Sequence, residues 1–320
     1  MNSFVADIDG PLVLTRAIHF AASASVAGVL TFRSVVARPM LRTSAEGHAS
    51  VQAQLIRLAW LGLAVAVATG IVWLTLATMM LAGITFGEAM RSGAMLVVVD
   101  ETQFGLVSEI RAGLAILLAA CLALDRFAFA QWLGLAASLA LVAAIAWTGH
   151  AGATLGALGD LHLAADGLHL LAAAAWIGGL VGLGIVFGVG RHRPAYEWAP
   201  LQFDAVRRFS ILGIVSVAVL IVSGAVNSWI LVGSVHALLV TDYGRLLLLK
   251  IAAFVAMVGL AAINRLSLTP QLAADAKGGA EPNALAALKR NTLIEIVLGL
   301  AIFVIVGVLG TLHPAIHLVK

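Results

Sequence analysis

The chain has 320 residues, of which 62% are hydrophobic and only 11% are charged. With a mean hydropathy of +1.05, this composition excludes an ordinary soluble protein, which needs a more polar surface. The net charge of +3 is small, and the positive residues are spread along the chain rather than gathered in one patch. We therefore expect a lipid bilayer as the environment and no nucleic-acid partner.

Eight apolar runs follow one another along the sequence, each about 20 residues or more and so able to cross a hydrocarbon core of about 30 Å. The runs are continuous rather than alternating, which indicates helices and not barrel strands. The predicted fold class is all-α, a polytopic membrane protein with eight transmembrane helices. These helices are predicted at about residues 11–36, 52–81, 104–124, 129–149, 165–190, 209–233, 244–265 and 291–312.

The loops differ in charge, and this difference predicts the orientation of the chain. Most of the 19 Lys and Arg residues follow the first, third, fifth and seventh helices. Positive loops stay in the cytoplasm, so both termini are predicted to be periplasmic in a bacterial inner (cytoplasmic) membrane. Most of the nine histidines then lie at or near the outer side: His19, His150, His162, His169, His236, His313 and His317.

Several motifs occur twice in the same order. His19 is followed nine residues later by Gly28, and His169 is followed at the same spacing by Gly178. Both pairs lie on helices that run from the outside inward. Further matches pair Thr102 and Arg111 with Thr241 and Lys250, Thr69, Gly70 and Trp73 with Ser223, Gly224 and Trp229, and His150 with His313.

The shared order predicts a four-plus-four parallel repeat, whose halves are related by an axis along the membrane normal. Residues 1–320 then form a single transmembrane domain, with a first half at 1–150 and a second at 151–320. In such a repeat, the His19–His150 pair and the His169–His313 pair are equivalent and would meet near the central interface.

These four histidines, His19, His150, His169 and His313, are the candidate metal ligands. An ionisable side chain at bilayer depth is costly and needs a partner or a task. A neutral imidazole offers one lone pair to a metal and donates its other N–H to a neighbour, which suits copper, zinc or haem iron. The alternative is a buried histidine that only bonds a backbone carbonyl.

A second group of candidates surrounds His169. His162, Asp166, His169 and Trp176 would share one stripe of a continuous helix, where Asp166 could orient His169. If the glycine-rich stretch 151–164 is instead a loop, His162 is solvated.

Sulfur ligands are scarce but grouped. The single cysteine, Cys121, excludes a cysteine-based cluster and an intrachain disulfide. Thioethers suit Cu(I), so the methionines after the second helix form a candidate copper-capture site, or simply lipid-facing helix ends. They are Met79, Met80, Met90 and Met95.

With these residues identified, the chain resembles the copper resistance protein D (CopD) family of bacterial inner-membrane proteins. The likeness covers the eight-helix layout and is most specific in the second half. It is carried by Asp166-Gly167-Leu168-His169, Trp176-Ile177-Gly178-Gly179-Leu180, Arg208-Phe209-Ser210, Ser223-Gly224 with Trp229, Tyr243-Gly244-Arg245 and Asn264-Arg265. The resemblance implies periplasmic copper handling, with copper moving across the inner membrane alongside a periplasmic copper-binding partner.

Three functions remain open at this point. The first is a copper-binding permease that takes part in copper resistance and homeostasis. The second is a haem b electron-transfer protein with paired histidine ligands, in which Arg111 and Lys250 would bind haem propionates; otherwise these two cations form ion pairs or extend to the membrane surface. The third is a membrane docking partner for a periplasmic copper chaperone. No hydrolase, nucleotide-binding or zinc-protease motif is present, so we do not expect an enzyme, except in so far as the haem alternative holds.

Overall fold

The structure is a computed structural model that describes residues 9–40, 45–192, 195–275 and 283–318. In this part of the chain every regular element is a helix, and eight helices are long and apolar enough to cross a membrane. The predicted all-α fold with eight spans is thereby confirmed. The eight helices are α1 (Gly10–Met40), α2 (Ala45–Ala82), α3 (Gln103–Ala123), α4 (Ala128–Ala143), α5 (Gly156–Val189), α6 (Ala195–Val232), α7 (Asp242–Ile263) and α8 (Asn283–Leu309).

The fifth helix is longer than predicted. It begins at Gly156 instead of near residue 165, because hydropathy marks only the apolar part of a helix and nothing after Gly156 interrupts the backbone hydrogen bonds. The glycine itself has φ +68°, a left-handed conformation that turns the chain into the helix. His162 therefore lies on α5 with 1% exposure, and the loop alternative for this residue is wrong.

The helices α1 and α5 cross at the centre of the bundle. Their backbones touch at Gly28 and Gly178: a Cβ atom on Gly28 would lie 2.0 Å from the carbonyl oxygen of Ala174, and one on Gly178 would lie 2.6 Å from the Gly28 Cα. Small residues permit such close packing in membranes. Because His19 and His169 each precede their glycine by nine residues, both lie about 13 Å along their helices from the crossing.

The helices α3 and α7 begin with the same local structure. The Thr102 hydroxyl accepts a hydrogen bond from the Gly105 N–H at 2.9 Å, and Thr241 does the same for Gly244 at 3.0 Å. A Cβ atom at either glycine would lie 2.3 Å from a carbonyl oxygen of the preceding short helix. These caps lie on the face of the bundle where α1 begins and α8 ends, called the terminal face below; the opposite side is the far face.

Two π-helical segments lie toward the far face, Arg33–Ala37 in α1 and Asn264–Leu268 after α7. Each begins with a polar residue that reaches another element. The Arg33 guanidinium donates to both carboxylate oxygens of Asp125, at 2.5 and 2.6 Å, and the Asn264 amide bonds to α8. Single π-helical turns are frequent at functional sites.

Replacing Gly28 by alanine should destabilise the protein. The added methyl group cannot fit beside the Ala174 carbonyl, so α1 and α5 must separate, and overpacking of this kind costs about 1–3 kcal/mol. We expect a lower midpoint of thermal unfolding in detergent for Gly28→Ala. The matched control is Gly184→Ala on α5, where no atom lies within 4 Å of the new Cβ. Equal midpoints for the two variants would contradict the backbone contact.

Candidate functional site

His19 lies in a polar site formed by α1, α2 and α3, and is only 3% exposed. Its Nδ1 atom is 2.9 Å from the Thr69 hydroxyl. That hydroxyl donates its own hydrogen to the Val65 carbonyl at 2.7 Å, so it can only accept from the histidine. This assigns the ring proton to Nδ1 and a lone pair to Nε2. The buried Arg111 guanidinium donates to this Nε2 atom, and so covers the lone pair.

His169 has the same surroundings on α5 and α6. Its Nδ1 atom is 3.0 Å from the Ser223 hydroxyl, which donates to the Val219 carbonyl at 2.6 Å. The ring proton is again on Nδ1. Within the described residues, however, no hydrogen-bond partner covers the His169 Nε2 atom, which leaves its lone pair available. A metal ligand needs a lone pair of this kind.

A glycine beside each histidine gives the ring its space. A Cβ atom on Gly70 would lie 3.4 Å from the His19 Cε1 atom, and one on Gly224 would lie 3.4 Å from the same atom of His169. A larger side chain would press on the imidazole at either position. The two histidines thus have the same kind of hydroxyl partner and the same glycine contact.

The charged neighbours of the two histidines differ. Beside His19, Arg16 is buried and its guanidinium packs over the rings of Phe20 and Trp73, 5.7 and 5.1 Å from the ring centres. Arg16 and Arg111 together place two positive charges at this site. No acidic side chain pairs with either arginine among the described residues. The site around His19 is therefore unfavourable for a cation.

Beside His169, a carboxylate replaces one of these positive charges. Asp166 lies one turn before His169 on α5, in the position that Arg16 has relative to His19. Its carboxylate accepts a hydrogen bond from the Asn227 amide at 3.1 Å, while the His169 Nδ1 atom lies against Ser223, and no hydrogen bond joins Asp166 to His169 in the described residues. Lys250 interacts electrostatically with both residues without a direct ion pair to Asp166. The negative charge of Asp166 therefore offsets the positive charge of Lys250, whereas nothing offsets the two arginines beside His19 in the described residues.

The structure also revises one of the pairings made from sequence. Trp229 is 64% exposed and does not occupy the place of the buried Trp73. The equivalent of Trp73 is Asn227, because each lies four residues after the hydroxyl that bonds a histidine. The presence of a tryptophan in both segments suggested the wrong pair, because exposed tryptophans such as Trp229 are common where helices meet the membrane surface.

A cavity of about 160 Å³ adjoins His19, with Gly70, Trp73, Phe104 and Arg111 in its wall. Pockets for drug-sized ligands begin at about 300 Å³, and a haem is larger than most such ligands. In addition, the Nε2 atom that would bind haem iron is covered by Arg111. The residues at this site therefore do not fit a haem, and Arg111 acts on the histidine itself.

His150 belongs to a separate group near the terminal face. Its Nε2 atom is buried and has no hydrogen-bond partner among the described residues, while its carbonyl accepts from the Thr154 hydroxyl at 3.0 Å. Thr154 also lies 2.9 Å from the His162 Nδ1 atom. Burial lowers the pKa of His150, a hydrogen bond with the Leu309 backbone opposes this effect, and the positive charge of Arg16 adds to it, so that the net direction is downward.

The four candidate histidines are thus divided between different places. No hydrogen bond or ring contact joins His19 to His150, or His169 to His313, in the described part of the chain, and His313 is exposed. Nowhere in the described part of the chain do three or more His, Cys, Asp or Glu side chains form a group that could hold a metal. Full coordination of an ion would therefore need movement, water or a ligand from outside.

The candidate methionines lie on three successive helical elements near the terminal face. Met79 and Met80 end α2, Met90 lies on the short helix Phe86–Arg91, and Met95 lies on the short helix Ala94–Glu101. Met80 and Met90 are 63% and 49% exposed. Trp176 is 2% exposed and packs against Phe254 in the middle of the bundle.

Sequence reasoning missed one buried acid. Glu295 on α8 is 1% exposed, and it accepts a hydrogen bond from the Asn264 amide at 2.8 Å. The available signal was a single acidic residue within an otherwise apolar membrane helix. Such a residue is a candidate for function because its burial is costly.

Comparisons with known proteins identify the family of the chain. Residues 6–160 match the family model described as copper resistance protein D-like, N-terminal domain, and residues 203–309 match that of copper resistance protein D. The chain belongs to the copper resistance protein D family. The resemblance inferred from the sequence motifs is thereby confirmed. This makes the chain a multi-pass membrane protein of a copper resistance family.

Three relatives share about a third of their aligned residues with the chain. Copper resistance protein D of Pseudomonas syringae pv. tomato is 32% identical over 174 residues, 54% of this chain and 56% of the relative. Copper transport protein CutJ of Bacillus subtilis (strain 168) is 33% identical over 193 residues, 57% and 34% of the two chains. Inner membrane protein YebZ of Escherichia coli (strain K12) is 32% identical over 170 residues, 53% and 55%. The chain spans about half the length of two of these relatives and a third of CutJ. No solved structure matches the chain.

Acid should destabilise the protein through His150. The pKa of this histidine in the folded state lies below its ordinary value of 6.5, so the unfolded chain takes up a proton more readily. The contribution of His150 to the free energy of unfolding is therefore fully present above about pH 6.5. It decreases as the pH falls through that value toward the lower pKa of the folded state.

Thermal unfolding in detergent, with copper removed by a chelator, measures this effect. We expect His150→Gln to reduce the fall in midpoint between neutral and mildly acidic pH. His236→Gln, at an exposed position, should leave the fall as in the parent. A pH dependence that is the same in His150→Gln and the parent would show that His150 does not contribute.

Proposed function

We propose that this protein binds copper in the outer half of the bacterial inner membrane and moves it between periplasm and cytoplasm. Copper is the transported substrate, and catalysis is not part of the proposal. Membership in the copper resistance protein D family supports a role in copper. The observation that carries the proposal is the His169 Nε2 atom, to which no side chain in the described residues forms a hydrogen bond. The Asp166 carboxylate, one turn earlier on α5, opposes the charge of Lys250.

Charge favours His169 over His19 as the first ligand. A copper ion beside His19 would meet the positive charges of Arg16 and Arg111, and such repulsion is strong where water is scarce. Beside His169, the ion would meet Lys250 as the one charged neighbour that acts on this histidine in the described residues, and the Asp166 carboxylate opposes that charge. We infer that His169 and Asp166 hold the ion during passage, and that Arg111 keeps His19 closed to it.

A duplication explains why two such different sites share one framework. We propose that residues 1–150 and 151–320 are repeats of four helices each. The matched hydroxyl bonds at His19 and His169, the matched glycine contacts and the matched threonine caps of α3 and α7 support this. The positive loops predict that the terminal face is periplasmic, together with both termini.

Several other residues then lie on the periplasmic side of the site. His150, His162 and His313, with the exposed Met80 and Met90, would offer soft or borderline ligands where copper arrives from the periplasm. We propose that a periplasmic copper-binding protein delivers or receives the ion there. Docking of a periplasmic copper chaperone is the part of this proposal that would remain if transport failed.

Copper bound to the purified protein tests the assignment. We expect His169→Ala to lose most of the copper that the parent retains after purification, because the open imidazole is gone. His19→Ala should retain copper, since Arg111 already covers that ring. His236→Ala, an exposed histidine, is the matched control.

Metal analysis and a visible spectrum read out the result. Full copper retention by His169→Ala would overturn the proposed site. Stoichiometric iron with a Soret band in the parent would instead favour the haem function. Copper sensitivity of cells that produce each variant then connects binding to resistance.

The Asp166 carboxylate should strengthen copper binding. Because Asp166→Asn removes a negative charge that would attract the ion and oppose Lys250, we expect a clear loss of copper affinity in this variant by competition with a copper chelator. Asp160→Asn removes the same charge from an exposed position two turns earlier on α5 and should bind as the parent does. Equal affinities for the two variants would separate Asp166 from the copper site.

A further inference from the structure

Glu295, Asn264 and Asn291 form a second buried polar group, far from His169. Asn264 lies 14 residues beyond Lys250 along α7, a rise of about 21 Å, so the group lies toward the far face. Glu295 and Asn291 are 1% and 4% exposed. Their place in the bundle is therefore distinct from both histidine sites.

The hydrogen bonds of this group are directed at the carboxyl group. Asn264 donates from its Nδ2 atom to the Glu295 Oε1 atom at 2.8 Å, and Asn291 donates to the Asn264 Oδ1 atom at 2.8 Å. Each amide thus donates an N–H group in the direction of the carboxyl group, and the Asn264 oxygen accepts from Asn291. A metal ion needs several lone pairs directed at one point, whereas this arrangement suits a carboxyl group that gains or loses a proton.

A helical irregularity places Asn264 in this group. The π-helical segment Asn264–Leu268 begins at this residue, and the Thr269 hydroxyl donates to its carbonyl at 2.7 Å. The carbonyl released by the wider turn is therefore bonded again. The amide side chain can then face α8 without an unpaired backbone group in the membrane.

No charged side chain in the described residues acts on Glu295. The titratable groups on the neighbouring elements have other surroundings. Toward the far face, Arg33 bonds Asp125, Arg38 bonds Gln131, Arg265 bonds Ser210 and Lys289 lies near Arg191. Toward the terminal face, Arg16 bonds Gly310, Arg245 pairs with Asp242, and Asp166 bonds Asn227 and interacts with Lys250 and Tyr243. The histidines His19, His162 and His169 lie against hydroxyl groups, and Asp160 is exposed. A buried carboxylate without a cation is costly, so a proton is the natural partner of this side chain.

An apolar layer separates Glu295 from His169. Trp176 packs edge-on against Phe254, with ring centres 5.9 Å apart. On α8, one turn from Glu295, a Cβ atom on Gly299 would lie 3.2 Å from Ile177. The two polar groups therefore lie on opposite sides of an apolar layer.

We propose that Glu295 is a proton-binding site, and that its carboxyl group releases the proton to the far-face solution when copper crosses the apolar layer. The copper ion brings positive charge into the far half of the bundle as the proton leaves, so the buried charge changes less than it would with copper alone. When copper has left, the carboxylate takes up a proton from the terminal-face side, so that each cycle moves a proton across the membrane together with copper. This coupling rests on the proposed copper passage, whereas the proton site itself does not.

Infrared spectroscopy tests the proton site without copper. We expect the carbonyl stretch of a buried protonated carboxyl group in the parent and its loss in Glu295→Gln, which keeps the shape and an oxygen acceptor for Asn264. Glu101→Gln, an exposed glutamate, should retain the band. If Glu295→Gln also retains the band, Glu295 is not the proton carrier and the proposal fails.

Proteoliposomes with a pH-sensitive dye test the coupling. On addition of copper, the parent should move protons, and Glu295→Gln should give only the background signal while binding copper as the parent does. Glu295→Asp, which keeps a carboxyl group, should restore part of the signal.

The other outcomes distinguish a failure of the coupling from a failure of the proposed function. Copper uptake without proton movement in the parent, or an undiminished signal in Glu295→Gln, would overturn the coupling while the proposed function stands. Absence of copper binding in the parent would overturn the proposed function and the coupling together, and the infrared band would still decide the proton site.

Discussion

The contact between the Gly28 and Gly178 backbones is the constraint on which the rest of the bundle depends. No side chain separates α1 from α5 at this point, so their relative position is set by the main chains themselves. Lipid supplies no hydrophobic force between helices, and close packing must hold them together. The equal spacing from each glycine to its histidine then places both imidazoles at the same depth.

On this common framework, a few side chains give the two sites different chemistry. Arg16 and Asp166 occupy corresponding places one turn before their histidines, as do Trp73 and Asn227 after the hydroxyl residues. The hydrogen bonds that orient the rings are retained, while the local charge is altered. If the proposed duplication holds, one half can thereby serve as a structural support while the other binds a ligand.

Periodicity and charge predicted the eight spans because long apolar runs have few alternatives in a membrane. The spacing of nine residues from His19 to Gly28 and from His169 to Gly178 could be read from the sequence, whereas the contact between the two glycines could not. Sequence did not predict that Arg111 covers one imidazole, because that contact depends on side-chain directions across two helices. The polar group around Glu295 was not predicted for a related reason. Its amide partners, Asn264 and Asn291, become neighbours only through the packing of α7 on α8.

The hydroxyl groups of Thr69 and Ser223 have a consequence for how quickly a metal could exchange. Each hydroxyl hydrogen is already committed to a carbonyl of its own helix, so the ring proton of His169 stays on Nδ1. A metal ion that arrives at Nε2 displaces no proton from the ring and requires no change of tautomer. Metal exchange at His169 and proton exchange elsewhere in the bundle are then separate chemical events, each free to have its own rate.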